Sequence, residues 1–309
     1  MEPPKGYMER LLTDTLQSRG FEVTAPIKGA GHAAIFCVRE AGDTKDMKDS
    51  VYVAKVVSLT PLDAKGKAAA LQEVSMLRGL APHPNLIAYK DSFVSESAGV
   101  LLIVMSFAED GDLRRIVTRT QAARMRFPEV VVLWWVRQML AGLQHLHSQG
   151  VVHRDLKSSN IFLCESSRRI RIGDFGISRV LESTAFATSC VGTPAYMSPE
   201  LMRNEKYDYH VDMWALGCIC YELCTLDLPF EATSLLDLVN KVIDGEPDWR
   251  KCGDFSIELV DVAKQLLKKD ATARPTADQL MAASLFAEGS RAATEPSDDV
   301  WQSVGLGPA

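Results

Sequence analysis

The chain has 309 residues, more than a single hydrophobic core usually organises, so its length predicts two domains or one two-lobed unit. Hydrophobic residues make up 47% and charged residues 24%, which argues against wholesale disorder. A formal net charge of -6 gives no electrostatic basis for binding nucleic acid or an anionic membrane surface. The sequence has no signal-peptide pattern and no apolar run that could cross a bilayer, so we expect a cytoplasmic protein without nucleic-acid or membrane partners.

Short apolar and β-branched runs, separated by polar or glycine-bearing turns, dominate the first third of the chain. A helix is expected to begin near Thr60-Pro61 and to end before the Pro82-His83-Pro84 break. Residues 1–20 precede this block as an N-terminal extension that could hold a short helix. The runs predict strands at 21–27, 33–39, 51–57, 86–93 and 100–105.

After Gly111 the apolar residues recur at intervals of three and four, which is typical of helices. The clearest helix is predicted to begin at Phe127-Pro128 and to end at Gly150. The segment 287–309 is rich in Gly, Ser, Pro and Asp, and we expect it to form a flexible tail. Further helices are predicted at 211–224, 233–244, 256–267 and 277–283.

A glycine-rich segment, Gly29-Ala30-Gly31-His32-Ala33-Ala34, follows the first predicted strand. Glycine has no Cβ, so such a backbone can approach phosphate oxygens closely. The segment matches the pattern GxGxxG at its first two glycines only, because Ala34 takes the place of the third. Taken alone, it fits an ordinary hairpin turn as well as a phosphate-binding loop.

Lys55 lies in a run that otherwise suits a buried strand, where an unpaired ammonium group would be costly. The phosphates of ATP and the carboxylate of Glu73, on the next predicted helix, would supply the anions that this lysine needs. A surface lysine at the end of a strand and a solvated glutamate are the alternative interpretation of the pair.

The segment 153–176 carries the most specific pattern. Asp155 precedes Asn160 by five residues, and Asp174 follows Asn160 by fourteen, with a predicted hairpin between them. Asn160 and Asp174 offer the hard oxygen ligands that Mg2+ prefers. Asp155 would accept the proton of a substrate hydroxyl, and Lys157 would stabilise the phosphoryl group in transfer.

With these motifs, residues 21–286 resemble the eukaryotic protein kinase family of the Ser/Thr type. The combination of YVAK, EDGDL, KSSNIFL, IGDFGISR and VGTPAYMSPELM is most similar to the NIMA-related (NEK) kinases. The resemblance implies an α+β, bilobal protein kinase fold. Its N-lobe, about 21–107, would hold a small antiparallel sheet and one main helix, and its C-lobe, about 108–286, would be larger and mainly helical.

The same resemblance implies a function: transfer of the γ-phosphate of ATP, with Mg2+, to Ser or Thr hydroxyls of protein substrates. Lys157 and the Gly192-Thr193-Pro194 segment are typical of Ser/Thr kinases. The altered glycine-rich loop leaves a nucleotide-binding pseudokinase scaffold as the alternative. A small-molecule phosphotransferase is disfavoured by the peptide-positioning segment 192–200. By family analogy, the cytoskeleton, the cilium or the nucleus would be an alternative location.

The resemblance also implies roles for individual residues. Met105 would be the gatekeeper, 106–108 the hinge that binds adenine, and Asp112 would lie near the ribose. The implied catalytic residues are Asp155, Lys157, Lys55 and Glu73, and the implied metal ligands are Asn160 and Asp174. The full set of implied nucleotide-binding residues is Ile27, Gly29, Ala30, Gly31, Ala34, Phe36, Val53, Lys55, Met105, Ser106, Phe107, Ala108, Asp112, Asn160, Phe162 and Asp174.

Structural and regulatory roles follow in the same way. Glu200 is expected to pair with Arg274. Asp212 is expected to brace the catalytic loop, the segment 153–160 that contains Asp155. Arg154 could pair with a phosphate placed on the activation loop by an upstream kinase. The favoured acceptor of that phosphate is Ser189, and the alternatives are Thr184, Thr188 and Thr193.

Overall fold

The computed structural model describes residues 5–27, 35–42, 51–174 and 194–306. The chain divides into two compact units. The first contains the described residues up to Pro82 together with Ile87–Phe107, and the second contains His83–Leu86 and the described residues from Ala108 onward. Each unit is built around its own core.

The first unit is organised by an antiparallel sheet whose strands follow the order β1-β2-β3-β5-β4. The central strand β3 pairs with β2 on one side and with β5 on the other, and its Ala54, Val56 and Val57 are buried. All five strands were predicted from the short apolar and β-branched runs. Their bounds are β1 Phe21–Ile27, β2 Ile35–Glu40, β3 Val51–Ser58, β4 Tyr89–Ser95 and β5 Val100–Ser106.

Two helices accompany this sheet. α1 spans Lys5–Ser18, and its Leu12 and Leu16 are buried in the core cluster that also contains Val38 of β2. The N-terminal extension therefore contributes to the core of the first unit through Leu12 and Leu16, and a second helix joins the one main helix that the sequence predicted. The reason is hydrophobic: two leucines four residues apart lie on one face of a helix and are removed from water together.

The other helix, α2, spans Ala64–Gly79. It begins later than the predicted Thr60-Pro61 start because Asp63 is the N-cap, and its carboxylate accepts a hydrogen bond of 2.7 Å from the backbone N–H of Gly66. Ala70, Val74 and Leu77, spaced three and four residues apart, form an apolar stripe that is buried, as expected for the inner face of a helix.

The second unit is mainly helical, and its centre is α6, nearly all of whose residues are buried. Gly217 of α6 lies against the C-terminal end of α8, where an added Cβ would come within 2.8 Å of the Cβ of Leu266. Only a glycine permits this close approach of the two helices. The helices of the unit are α3 Leu113–Ala122, α4 Glu129–Ser148, α5 Pro199–Met202, α6 His210–Thr225, α7 Leu235–Asp244, α8 Ile257–Leu266, α9 Ala277–Ala282 and α10 Asp298–Ser303, and its two strands are β6 Ile161–Cys164 and β7 Arg169–Ile172.

The segment before β4 does not extend that strand to Leu86 as predicted. Leu86 instead forms a parallel bridge with Ile172 of β7, and the buried side chain of Asn85 donates hydrogen bonds of 3.0 Å to Gln138 Oε1 and to the carbonyl of Ile170. Asn85 thus joins α4 and β7 in the second unit, which ends the first unit's strand at Tyr89.

The expectation of a flexible tail from residue 287 is wrong for residues 287–306. Trp301 of α10 is fully buried, and its ring lies 5.8 Å from that of Trp135 on α4. Val304 and Leu306, which follow Trp301 in the sequence, are also buried. The average composition of the segment is polar, but these apolar side chains are spaced so that they are buried together, and their burial offsets the entropy of ordering the segment.

Within the described ranges, we find no helix that is both long and apolar enough to span a bilayer.

Candidate active site

The candidate base, Asp155, lies in the loop between α4 and β6, and its carboxylate is held by two neighbours. Lys157 Nζ donates to both oxygens, at 3.1 Å to Oδ1 and 2.8 Å to Oδ2, and Asn160 Nδ2 donates to Oδ2 at 3.0 Å. A further bond of 2.8 Å from Asn160 Nδ2 reaches the carbonyl of Asp155. The three predicted residues thus form one hydrogen-bonded group that fixes the orientation of the carboxylate.

The β6–β7 hairpin brings Asn160 and Asp174 to the same end of two paired strands. Ile161, the first residue of β6, pairs with Ile172, the last residue of β7. The backbone N–H of Gly173 donates to the carbonyl of Asn160 at 3.0 Å, which fixes the register where both strands meet the loops. Two oxygen-bearing side chains, distant in sequence, therefore emerge from adjacent loops.

Asp174 has a left-handed backbone with a φ of 59°. A non-glycine residue in that region costs about 1–2 kcal/mol, and such strain is concentrated at functional sites. The backbone keeps this unfavourable conformation because the preceding residue, Gly173, is held by the hydrogen bond from its N–H to the carbonyl of Asn160.

His153 connects the catalytic loop to the segment after β7. Its ring is fully buried, Nε2 lies 3.0 Å from the carbonyl of Gly173, and the N–H of Asp155 donates to Nδ1 at 3.3 Å. Because Nδ1 accepts, the proton belongs on Nε2, where it can be donated to that carbonyl. His153 therefore holds Asp155 and the residue before Asp174 at a fixed separation.

Asp212, in the first turn of α6, holds the same loop through hydrogen bonds to two of its backbone N–H groups. Its Oδ2 accepts from the backbone N–H of His153 at 2.8 Å, and its Oδ1 accepts from the backbone N–H of Arg154 at 2.9 Å. His147 Nε2 lies 2.9 Å from Oδ2. Arg154 itself has a φ of 70°. The predicted bracing of the catalytic loop by Asp212 is confirmed.

The predicted pair of Glu200 and Arg274 is also confirmed, as a buried bidentate ion pair with N–O distances of 2.6 and 2.8 Å. Arg274 also donates to the carbonyls of Lys268, Lys269 and His210. Burial alone would raise the pKa of Glu200, but the hydrogen bonds and charge of Arg274 lower it below its ordinary value. The pair holds α5 against the loop before α9.

In the first unit, Lys55 lies in the middle of β3, opposite Ile35 on one side and Ile103 on the other. Val53 is two residues away on the same face and pairs with Met105. Glu73 belongs to α2, but its side chain is outside the described part of the chain, so its pairing with Lys55 stays a prediction.

The predicted cradle around the nucleotide is described in part. The backbone of Ile27 pairs with that of Ile35. The predicted phosphate-cradling residues Gly29, Ala30, Gly31 and Ala34 lie outside the described residues, as do Ser189 and its three alternatives. Phe36 is buried and pairs with Ala54.

The predicted hinge begins where β5 ends. The backbone N–H of Ser106 donates to the carbonyl of Ala88 at 2.9 Å, and that of Phe107 donates to the carbonyl of Val51 at 3.4 Å. Ala108 is the first residue of the second unit after this segment. The backbone N–H groups of Ser106 and Phe107 are thus engaged within the first unit.

In the second unit, Asp112 caps the N-terminus of α3 by accepting a 2.9 Å hydrogen bond from the N–H of Arg115. An isolated antiparallel bridge joins Asp112 to Phe162 of β6. Two residues predicted to contact the nucleotide are therefore neighbours in the structure.

Sequence reasoning missed one polar group beside the catalytic loop. Glu222 of α6 accepts hydrogen bonds from Ser158, Tyr196 and Arg114, and its carboxylate is fully buried. The available signal was a glutamate within the otherwise apolar run of α6, since a buried carboxylate requires partners.

Comparison with known proteins identifies the family. The family model described as protein kinase domain matches residues 31–286. This chain belongs to the protein kinase family. The kinase assignment made from the Asp155, Asn160 and Asp174 spacing is therefore confirmed, together with the α+β fold class.

Curated relatives of this kinase carry NEK names. It is 38% identical over 239 residues to mouse serine/threonine-protein kinase Nek1, 36% over 256 residues to human Nek5, and 39% over 218 residues to mouse Nek3. These matches cover 77%, 82% and 70% of the chain, but 19%, 35% and 42% of the relatives. The chain thus spans less than half the length of these curated relatives, and its resemblance to the NIMA-related kinases is confirmed.

Proposed function

We propose that this chain is a NIMA-related serine/threonine protein kinase that transfers the γ-phosphate of ATP to Ser or Thr hydroxyls of protein substrates. The observation that carries the proposal is the carboxylate of Asp155, which Lys157 and Asn160 hold by hydrogen bonds of 2.8–3.1 Å. An oriented and nearly buried carboxylate suits a base that receives a hydroxyl proton.

Each residue of the group has a separate role in this proposal. Asp155 orients the acceptor hydroxyl and takes its proton as the oxygen attacks, while Lys157 stabilises the negative charge that develops on the phosphoryl oxygens. Lys55, paired with Glu73, binds the α- and β-phosphates. The residues of the glycine-rich segment and of the hinge bind the rest of the nucleotide, as the family resemblance implies.

A divalent cation fits the donors at the end of the β6–β7 hairpin. The amide of Asn160 and the carboxylate of Asp174 are the hard oxygen ligands that Mg2+ selects. We propose that these two side chains hold Mg2+, which when bound with ATP neutralises charge on the phosphate oxygens. The amide of Asn160 donates to Asp155 through its nitrogen, which leaves the oxygen as the atom that would face the cation.

Regulation through the activation loop is a second part of the proposal. Arg154, next to the base, is exposed, and its guanidinium lies 5.8 Å from the centre of the Tyr207 ring. A phosphate on Ser189 would form charge-assisted hydrogen bonds with Arg154 and order the loop, which requires an upstream kinase. If Ser189→Ala leaves both activity and its dependence on prior phosphorylation unchanged, Ser189 is not the regulatory site.

The experiment that tests the activity uses the full chain, produced in a eukaryotic host, with Mg-ATP and a generic Ser/Thr-containing protein such as casein. We expect phosphorylation that Asp155→Asn lowers by about 10²–10⁴-fold, the range of a general base, and that Asp174→Ala abolishes. Asp261→Asn is the matched control, because Asp261 is an exposed carboxylate on α8 that pairs with Lys264.

Two results would contradict the proposal. One is turnover by Asp155→Asn at the rate of the unmodified chain. The other concerns the chain already phosphorylated on its activation loop. If that chain binds ATP but phosphorylates no acceptor, it behaves as the scaffold alternative predicts.

A further inference from the structure

The fully buried carboxylate of Glu222 is the centre of a polar group inside the second unit. Ser158 Oγ donates to Oε1 at 3.2 Å, and Tyr196 OH donates to Oε2 at 2.7 Å. Arg114 Nη1 donates to Oε1 at 2.6 Å, so a full positive charge balances the buried negative one. Ser158 Oγ and Tyr196 OH lie 2.9 Å apart, which closes the group.

The group joins two segments that the proposed kinase activity places beside a peptide substrate. Ser158 belongs to the catalytic loop, three residues after Asp155. Tyr196 lies in the segment 192–200, which the family resemblance implies is the part that positions the peptide. A substrate that presents its hydroxyl to Asp155 and rests on this segment therefore passes close to the Glu222 group.

Arg114 is the member of the group that faces outward. Its side chain is 49% exposed, whereas that of Glu222 is 0% exposed. A guanidinium carries five N–H donors in a planar fork, so donors remain for a ligand that approaches from solvent. Burial alone would lower the pKa of Arg114, but the hydrogen bond and charge of Glu222 raise it above its ordinary value, so the cation is permanent.

We propose that Arg114 is a specificity-determining residue that selects substrates with an Asp or Glu close to the acceptor. This inference rests on the proposed kinase activity. The carboxylate of the substrate accepts a charge-assisted hydrogen bond from the exposed edge of the guanidinium. Because the inner edge already neutralises Glu222, that glutamate is not available to a Lys or Arg of the substrate, and a basic side chain at the same place is repelled by Arg114.

The reach of Arg114 limits where the acidic residue can be. An extended peptide advances about 3.3 Å per residue. Ser158 is three residues from Asp155 along the loop and shares Glu222 Oε1 with Arg114. We therefore expect the residues of the substrate that Arg114 can contact to lie within about four positions of the acceptor. One position is expected to show the preference, while its neighbours, whose side chains point the other way, do not.

The test is a peptide series in which each position within about four residues of a single serine is replaced in turn by Asp, Ala or Lys. The full chain is expected to phosphorylate the Asp peptide about ten-fold better than the Ala peptide at one position, measured as kcat/KM, and the Lys peptide least well. Arg114→Glu is expected to reverse the order at that position. Arg115→Leu is the matched control, because Arg115 is the neighbouring exposed arginine of α3, and it should leave the order unchanged.

Removal of Arg114 alone leaves a buried carboxylate with one fewer partner, so the double variant Arg114→Leu with Glu222→Gln is measured as well. The readout is the ratio of the Asp to the Ala peptide, which does not depend on the overall activity of the variant. A ratio that falls to about one at the selected position supports the assignment. A ratio that stays near ten overturns it, and so does an unmodified chain that shows no charge preference at any position. Failure of the unmodified chain to phosphorylate any peptide would overturn the proposed kinase activity as well.

Discussion

Arg274 donates from both terminal guanidinium nitrogens to the two carboxylate oxygens of Glu200, at 2.6 and 2.8 Å, although 74 residues of sequence separate them. Both side chains are buried, and the guanidinium also lies 4.9 Å from the centre of the Trp214 ring. The ion pair, the backbone carbonyls around it and the indole together fix the end of the segment that follows the activation loop.

Arg274→Leu is expected to lower the free energy of unfolding by about 3–5 kcal/mol, because the carboxylate of Glu200 stays buried without its cation. Urea denaturation followed by tryptophan fluorescence measures the loss, since Trp214 reports on this part of the core. Arg250→Leu is the control: Arg250 pairs with Asp248 at 2.8 Å, but its side chain is 91% exposed. Equal losses in the two variants would show that burial does not matter to the Glu200 pair.

Asp212→Asn is expected to lower both activity and stability. The amide keeps one acceptor oxygen but loses the second, so the backbone N–H of His153 or of Arg154 loses its partner at a cost of about 1–3 kcal/mol. Phosphorylation assays and thermal unfolding of the same preparations test this. Asp278→Asn, at an exposed carboxylate that accepts from Gln144, serves as control. Full activity in Asp212→Asn would mean that the loop keeps its conformation without this support.

Trp301→Ala is expected to destabilise the protein by about 3–5 kcal/mol, the usual effect of removing a large buried aromatic side chain. Trp301 packs on Trp135, and Asp298, on the same helix as Trp301, forms an ion pair with Arg168 at 2.5 Å. Thermal unfolding of the full chain measures the effect. The control Leu236→Ala, at a side chain that is 70% exposed, should change stability by less than about 0.5 kcal/mol. An unaffected Trp301→Ala variant would restore the flexible-tail interpretation.

Stability is expected to decrease as the pH falls below about 6.5, through His83. Its ring stacks on that of His145 at 4.8 Å, and its Nδ1 accepts from the backbone N–H of Asn85 at 3.1 Å. Burial, and then His145, lower the pKa of His83 below its ordinary value of 6.5. The unfolded chain therefore takes up the proton first, and the free energy of unfolding falls between that value and the lowered one.

Urea denaturation at pH 7.5 and pH 5.5 tests this dependence. His83→Asn keeps a side-chain acceptor but cannot titrate, so its unfolding free energy should change less between the two pH values. A variant with the same pH slope as the unmodified chain would assign the slope to other groups.

The amino-acid sequence by itself determined the family, the strands of the first unit, and the residues proposed as the base and as the metal ligands. These features depend on spacing within short segments. Asp155 and Asn160 are five residues apart in one loop, and the short apolar and β-branched runs of β1, β3 and β5 by themselves indicate strands. The helix of the first 20 residues was anticipated but not placed, because its signal is two leucines on one face.

Only the tertiary structure decided the contacts between distant segments. In the sequence, Glu222 is only a glutamate within an apolar helix, and the structure shows that Ser158, Tyr196 and Arg114 are its hydrogen-bond partners. Likewise, Trp301 is one aromatic residue in a polar segment, and the structure shows that it packs on Trp135. Local periodicity indicates that a side chain is buried but not against what, because its partner is chosen by the packing of elements that are far apart in the chain.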